Sequence, residues 1–274
     1  MPANPITPTI PLNEDGEHHG FLRLPYSRDD SAWGSVMIPI TVIKNGIGPT
    51  ALLTGANHGD EYEGPVALMD LAVSLKPGDM LDFHSGGKTL DFIPFASAHV
   101  LENKEQQAAC VAAVEAFNAP YSMIMLEIDN VGMYDTSVED QGKTFVTTEL
   151  GGGGSSTAYS NGIAKKGVRN VLKHAGIMKG ELQVAPSVML DMPDGDCFVF
   201  CEDEGLFEAM KDLGDRVEEG EIVARVWPAD RTGRPAIDYR ARRSGILASR
   251  HFPGLVKPGD CMAVVAVVVG ETVS

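Results

Sequence analysis

The 274-residue sequence predicts an α/β fold followed by a small all-β domain. An apolar run over residues 50–55 ends in Gly55 and precedes apolar residues at helical spacing, which indicates a buried strand leading into a helix. Beyond about residue 184, short Val-rich segments alternate with Gly, Pro and Asp turns, a pattern typical of barrel-sandwich domains. We therefore predict an α/β domain over residues 1–183, with an N-terminal arm over 1–34, and a β-rich domain over 184–274.

The prolines of the N-terminal arm indicate an extended segment. Alternating aliphatic residues predict a half-buried strand over 34–44, and Asn45-Gly46 predicts a hairpin turn into the strand that begins at Thr50. Helical spacing then predicts helices over 102–117 and 158–174. Between these helices we expect a polar loop that contains Asp135 and Glu139, and we interpret His99 as a loop or core histidine.

Composition excludes several classes of function. A net charge of -16 and a pI near 4.8 oppose binding to nucleic acid, whose phosphates are also negative. No apolar run reaches the ~20 residues that span a bilayer. The four cysteines are scattered and no secretory leader pattern opens the chain, so we expect reduced thiols and a cytoplasmic protein.

The strongest chemical signal lies where the strand at Thr50 passes into the helix. His58 and Glu61 are three residues apart at a helix start, so that their side chains fall on one side. His84 follows the next strand, and parallel strands joined by a helix end at the same edge of a sheet. Two histidines and one glutamate suit zinc and leave one position open for water, which is the catalytic type of zinc site.

Chance explains many His-x-x-Glu sequences, and placement at strand ends is what favours a metal site here. A carboxylate for general-base chemistry is offered by Glu149, at the end of a predicted strand over 144–149. Gly151 to Gly154 follow as a linker, a phosphate cradle or a mobile loop beside the site. No Gly-Lys-Ser/Thr sequence comes next, which disfavours the phosphate cradle.

Two further features have competing interpretations. The cluster of Arg240, Arg242 and Arg243 is either a solvated surface or a binding site for a substrate carboxylate. The sequence before Lys211 imitates a biotin attachment motif, but a further Gly-Asp turn follows at once where a carrier lysine needs an exposed hairpin tip.

Taken together, these motifs resemble those of the succinylglutamate desuccinylase/aspartoacylase family. The resemblance rests on four features in this order: His58-Gly59-Asp60-Glu61, Asp82-Phe83-His84-Ser85-Gly86-Gly87, Thr148-Glu149-Leu150-Gly151-Gly152-Gly153 and the terminal β-rich region. It implies a zinc-carboxypeptidase-like mixed sheet flanked by helices and one Zn2+ held by His58, Glu61 and His84. It also implies that Glu149 is the general base in the hydrolysis of an N-acylated amino acid, such as N-acetyl-L-2,4-diaminobutyrate in ectoine degradation. A homo-oligomer is compatible with this interpretation.

One departure from the family pattern lies between Met80 and Leu81. Family members carry several dozen residues at this position, including a strand and residues that bind the substrate carboxylate. The alternative hypothesis is therefore a zinc-binding or regulatory homologue with impaired catalysis, since loss of one oxyanion donor alone costs about 2.7–4 kcal/mol of transition-state stabilisation.

Overall fold

A computed structural model describes residues 4–74, 81–125 and 134–270 of the chain. The predicted gap after Met80 adjoins residues 75–80, which lie outside the described residues. The helices of the described part are α1 (Glu63–Ala72), α2 (Lys104–Phe117), α3 (Tyr134–Glu139) and α4 (Ala158–His174), and Gly195–Cys197 is a 3-10 helix. None of them combines the length and the apolar character needed to cross a bilayer.

Strands make up most of the remaining regular structure in this part of the chain. The first nine are β1 (Thr7–Pro8), β2 (Gly16–Pro25), β3 (Ser35–Lys44), β4 (Leu53–Gly55), β5 (Leu81–Phe83), β6 (Leu90–Phe92), β7 (Phe95–His99), β8 (Tyr121–Met125) and β9 (Thr147–Glu149). The next nine are β10 (Val188–Asp191), β11 (Phe198–Phe200), β12 (Gly205–Ala209), β13 (Arg216–Val217), β14 (Ile222–Trp227), β15 (Ile237–Arg240), β16 (Gly245–His251), β17 (Leu255–Val256) and β18 (Cys261–Val268).

A nine-stranded mixed sheet forms the centre of the fold. Its main path is β13-β16-β18-β10-β8-β7-β9, with β11 paired to β18 and β6 paired to β16. The pairs β7–β8 and β8–β10 are parallel, whereas β10–β18 and β7–β9 are antiparallel. The predicted α/β class with a mixed sheet is therefore confirmed.

The sheet runs across the predicted domain boundary at residue 184, because β10 pairs with β8 on one side and with β18 on the other. Four strands beyond it, β15-β14-β12-β17, form a separate antiparallel sheet, as expected for a β-rich C-terminal region. The division into two domains stays a prediction.

Helix α2 packs on β7 and α4 packs on α2, and both helices contribute to the buried cluster around Phe117. The predicted helix over 158–174 is confirmed residue for residue by α4, which begins at a capping box of Thr157 and Ser160. The helix predicted over 102–117 begins two residues later, because the side chain of Asn103 caps the backbone N–H groups of the next turn.

Two local predictions are wrong. Strand β3 does not form a hairpin with the segment after Thr50; it pairs with β2 through ten consecutive positions, while β4 pairs in parallel with β5. A ten-residue neighbour with matching alternation offers far more backbone pairing than a three-residue strand. The polar loop expected around Glu139 is helix α3, because Val138 and Glu139 are buried and the carboxylate of Glu139 contacts His99.

Candidate metal centre

The turn between β4 and α1 is shaped by close backbone contacts. A Cβ atom at Gly55 would lie 3.1 Å from the backbone of Gly64, so glycine lets the strand end approach the first turn of the helix. Ala56 takes a left-handed conformation with φ 64°, which is uncommon for a residue other than glycine. This bend carries the chain directly to His58 and Glu61.

The structure brings the three predicted ligands together. The distance from His58 Nδ1 to Glu61 Oε1 is 2.6 Å, and that from His84 Nδ1 to Glu61 Oε2 is 3.2 Å. One ligand atom from each residue can be chosen so that all three lie within 4.8 Å of one another, and no other such group of acidic, histidine or cysteine residues occurs in the described ranges. The parallel pairing of β4 with β5 is what delivers His84 to this edge.

This donor set fits a divalent cation. Glu61 is 5% exposed, and its two carboxylate oxygens each face an imidazole nitrogen. Burying a carboxylate is costly unless positive charge compensates it, and imidazole nitrogen with carboxylate oxygen is a common zinc ligand set. The side chain of His58 is 66% exposed, so the cluster is accessible from solvent on that side.

Glu149 lies next to this cluster. His84 and Glu149 form a parallel β-bridge, and the backbone N–H of Leu150 donates to the His84 carbonyl oxygen at 3.3 Å. The side chain of Thr148 adds a contact, because its hydroxyl oxygen accepts from the backbone N–H of His84 at 3.2 Å. These bonds attach the β4–β5 pair to the edge of the nine-stranded sheet, so one sheet edge carries all four predicted site residues.

The carboxyl of Glu149 is poorly solvated, and Oε2 has no hydrogen-bond partner. Burial raises the pKa of Glu149 to about 8, while the charge of His84 lowers this pKa and the carboxylates of Glu61 and Glu63 raise it. A divalent cation held beside it would act like His84 and lower the pKa.

Sequence reasoning missed Glu63. This residue is 1% exposed, and its Oε1 accepts a hydrogen bond from Ser160 Oγ at 2.8 Å. A Cβ atom at Gly151 would lie 3.3 Å from the same oxygen, which places Glu63 against the glycine that follows Leu150. An acidic residue in the first helical turn is ordinary at sequence level, so only the pairing of α1 with α4 identifies it.

The glycine segment after Glu149 is held by backbone hydrogen bonds. Gly86 N–H and Phe92 N–H both donate to the Gly151 carbonyl oxygen, at 3.0 and 3.3 Å, and Gly153 N–H donates to Leu90. At Gly152 a Cβ atom would lie 2.0 Å from the Leu90 carbonyl oxygen. This network fits a loop fixed beside the site better than a linker.

The arginine cluster and Lys211, the other basic residues considered as possible binding or attachment sites, contact acidic residues of the same chain. Arg243 pairs with Asp194, Arg240 with Asp238 at 3.2 Å, and Arg242 approaches Asp196 at 4.0 Å. These pairs favour the surface interpretation of the arginine cluster. Lys211 Nζ lies 2.5 Å from Glu221 Oε1, so the lysine of the biotin-like sequence is also paired.

Comparison with known proteins identifies the class. Residues 80–175 match the sequence model for the succinylglutamate desuccinylase/aspartoacylase catalytic domain, a segment that contains His84 and Glu149 but begins after His58 and Glu61. The chain belongs to this family, and it is therefore a hydrolase of the class that acts on amides.

More particular relatives share almost the whole chain. N-alpha-acetyl-L-2,4-diaminobutyric acid deacetylase from Halomonas elongata is 44% identical and aligns with 97% of this chain and 96% of its own length. The product-bound ectoine utilization protein EutE from Ruegeria pomeroyi matches at 58% identity with a TM-score of 0.93, covering 96% of this chain and 99% of its own. A succinylglutamate desuccinylase from Silicibacter sp. matches at 58% identity with a TM-score of 0.92, covering 98% of this chain and 100% of its own.

The alignment with the Halomonas enzyme extends over 328 positions, whereas this chain has 274 residues. At least 54 residues of that enzyme, the difference between the two numbers, therefore have no counterpart here. A gap between Met80 and Leu81 stays a prediction.

Proposed function

We propose that this protein is a zinc-dependent deacetylase of small N-acylated amino acids, with N-acetyl-L-2,4-diaminobutyrate as its foremost substrate. The single observation that carries the proposal is the convergence of His58, Glu61 and His84 beside Glu149 at one sheet edge. The substrate follows from the activity named for the Halomonas relative at 44% identity.

His58, Glu61 and His84 would hold the ion. Zinc bound there supplies a Lewis acid that lowers the pKa of a water molecule toward neutrality. Glu61 has the lowest exposure of the three, so it would fix the position of the ion while the exposed side of His58 leaves access to solvent and substrate.

Glu149 would act as general base and then as general acid. Its carboxylate takes a proton from the water that attacks the acetyl carbonyl, and it returns the proton to the amine nitrogen as the amide bond breaks. Burial raises the pKa of Glu149 and a bound cation lowers it, so the two effects act in opposite directions on the carboxyl that accepts and then donates the proton. Acetate and a diamino acid are the products.

The acidic surface of the protein is compatible with this substrate. N-acetyl-2,4-diaminobutyrate carries one free ammonium group and one carboxylate, and a chain with a net charge of -16 attracts the ammonium end. The four cysteines are free, which supports the cytoplasmic setting that we propose.

A second candidate function is a zinc-binding homologue without hydrolytic activity. It is favoured by one observation, the residues of the Halomonas enzyme that have no counterpart in this chain. If residues that bind the substrate carboxylate are among them, the metal site would persist without productive substrate binding.

Acetate release from N-acetyl-L-2,4-diaminobutyrate, measured together with the zinc content of the protein, tests both candidates. We expect turnover that disappears on chelation, returns with zinc and falls at least about a hundredfold in Glu149→Gln, since general acid–base catalysis contributes 10²–10⁴-fold. Glu115→Gln, on the exposed side of α2, is the matched control and should retain full turnover.

The metal ligands need their own variants. His84→Ala should lower the zinc content as well as the turnover, whereas His174→Ala, an exposed histidine at the end of α4, should change neither. Stoichiometric zinc with no acetate release would support the second candidate. Turnover that survives both chelation and Glu149→Gln would refute the proposed mechanism.

A further inference from the structure

Lys88 lies in the turn between His84 and β6. Its backbone N–H donates to Asp60 Oδ2 at 2.9 Å, and Asp60 is the residue next to Glu61. A Cβ atom at Gly87 would lie 3.0 Å from the same carboxylate oxygen, so the backbone approaches it closely. Asp60 therefore holds the segment after His84 against the turn that carries the other two predicted metal ligands.

The side chain of Lys88 lies along the glycine segment that follows Glu149. A Cβ atom at Gly154 would lie 2.7 Å from Lys88 Cγ, and Gly154 has a φ of +66°. Glycine suits both conditions, because a larger residue would be strained and would displace the lysine side chain. The backbone N–H of Gly154 also donates to the Gly87 carbonyl oxygen. Lys88 is thus attached to both segments that carry the candidate site.

The C-terminal region holds the same two segments from another side. A Cβ atom at Gly153 would lie 2.7 Å from the ring of Phe252, and the Phe252 N–H donates to the Thr89 carbonyl oxygen at 3.0 Å. These contacts fix the glycine segment and the turn of Lys88 relative to each other. Phe252 is 51% exposed and Lys88 is exposed, so both side chains remain accessible beside the site.

The surroundings of Lys88 are otherwise acidic. Glu61 and Glu63 are buried behind it on the chain segment that begins α1, and Glu149 ends β9. No carboxylate oxygen of the described ranges lies within 4.0 Å of Lys88 Nζ. A lysine on an open surface is usually only solvated, but this one brings an unpaired positive charge to the edge of a cluster of carboxylates.

Other cations on the neighbouring elements are already paired. Lys165 and Arg169 of α4 both contact Asp70, at 3.0 and 2.8 Å. Arg250 of β16 contacts two aspartates of the same chain. Among these basic residues Lys88 is the one whose charge is available to a bound molecule.

We infer that Lys88 binds the carboxylate of the substrate, an inference that rests on the function proposed above. In an N-acyl amino acid only the amide nitrogen and the α-carbon separate the carboxylate from the scissile carbonyl, so the two carbons lie less than about 4 Å apart. The carboxylate therefore has to enter the acidic surroundings of Glu149, where positive charge must compensate it. The ammonium group of Lys88 is a compact point charge on a flexible stem, which suits a contact of this kind.

Two compounds and three variants separate this contact from a structural role. The compounds are N-acetyl-L-2,4-diaminobutyrate and its α-carboxamide, which lacks the negative charge. Lys88→Met keeps the stem that lies on Gly154 and removes the charge, whereas Lys88→Arg keeps a charge. Lys179→Met is the matched control, because Lys179 is exposed and follows the C-terminal end of α4, about 25 Å along the helix from the turn that contacts Glu63.

Binding is measured by calorimetry on zinc-loaded Glu149→Gln protein, so that neither compound is consumed. We expect the carboxylate to bind at least about tenfold more tightly than the carboxamide. Lys88→Met should remove that preference by weakening the carboxylate alone, and Lys88→Arg should retain part of it. Lys179→Met should leave both affinities unchanged. Zinc content and the urea midpoint check that each variant is folded, and Lys88→Gln replaces Lys88→Met if the latter is not.

The outcomes distinguish this inference from the proposed function. Equal losses for both compounds in Lys88→Met, or no loss for either, overturn the inference, even where wild-type protein releases acetate and the proposed function stands. If wild-type protein releases no acetate but binds the carboxylate through Lys88, the proposed function fails and the inference stands. Failure of both compounds to bind overturns both.

Discussion

The nine-stranded sheet and the sheet of β1, β2 and β3, which we call the N-terminal ribbon, both contain strands rich in aliphatic residues, yet their surroundings differ. In β18, five consecutive residues from Met262 to Ala266 are buried, whereas β2 and β3 contain no buried residue. The difference comes from distant elements, because α2 packs on β7 of the large sheet with α4 against it, whereas no described helix packs on the ribbon. Alternation therefore determines which residues share a face, and the rest of the molecule determines whether that face is buried.

The covered sheet is also the one that carries the candidate site. Its edge strand β9 ends in Glu149 and joins the β4–β5 pair through His84, so the site rests on elements fixed by the main core. In the described part of the chain, the strands of the ribbon pair only with one another. The following predictions test how far the two regions differ, from the largest expected effect to the smallest.

Removal of a core aromatic should separate the two regions most clearly. Phe117 is fully buried between α2 and α4, so Phe117→Ala should lower the free energy of unfolding by about 3–5 kcal/mol. Phe21→Ala, in strand β2 of the ribbon at 41% exposure, should cost less than about 1 kcal/mol. Urea unfolding measures both. Equal costs would mean that the ribbon is packed as tightly as the core.

Two glycines of α4 allow a packed position and an open position of the same helix to be compared. A Cβ atom at Gly167 would lie 2.3 Å from the ring of Phe117, so Gly167→Ala should cost about 1–3 kcal/mol through overpacking. At Gly162 a Cβ atom would meet nothing within 4 Å, and Gly162→Ala should stabilise the helix by roughly 0.5–1 kcal/mol. Opposite signs in urea unfolding are the expected result, and two changes of the same sign would contradict the packing described for Phe117.

The N-terminus of α4 should show an intermediate effect. The hydroxyl of Thr157 accepts from the backbone N–H of Ser160 at 3.0 Å, and loss of such a cap costs about 1 kcal/mol. Thr157→Ala should lower the urea midpoint accordingly, while Thr157→Ser, which keeps the hydroxyl, should stay close to wild type. If the serine variant is as unstable as the alanine variant, the methyl group rather than the cap stabilises this end.

Sequence reasoning succeeded where the signal is local. The bounds of α4 follow from its helical spacing, and the meeting of His58, Glu61 and His84 follows from one β-α-β unit. It failed where pairing is non-local. Strand β3 pairs with β2 and not with the segment after Thr50. Glu63 is recognisable only through its hydrogen bond with Ser160, which lies on a helix distant in sequence. Which elements pair depends on the relative stability of all possible pairings in the chain, and the local sequence pattern of one element does not determine it.

The smallest expected difference concerns two aspartates with cationic partners. Hydrogen bonds from Arg169 and, to a lesser extent, from Lys165 lower the pKa of Asp70, and these bonds join α1 to α4. At the end of the ribbon, a hydrogen bond from Lys44 lowers the pKa of Asp15. A carboxylate whose pKa is depressed in the folded state stabilises the protein above its ordinary value of 3.8, and that contribution is lost as the pH falls through the folded-state value. The Asp70 side chain is 35% exposed and that of Asp15 is 61% exposed, so solvent screens the second pair more. Asp70→Asn should therefore lower the urea midpoint at about pH 7 and reduce its decline toward about pH 3, and Asp15→Asn should do both to a smaller extent. If the two variants respond equally to pH, the link between α1 and α4 is no stronger than an ion pair on the ribbon.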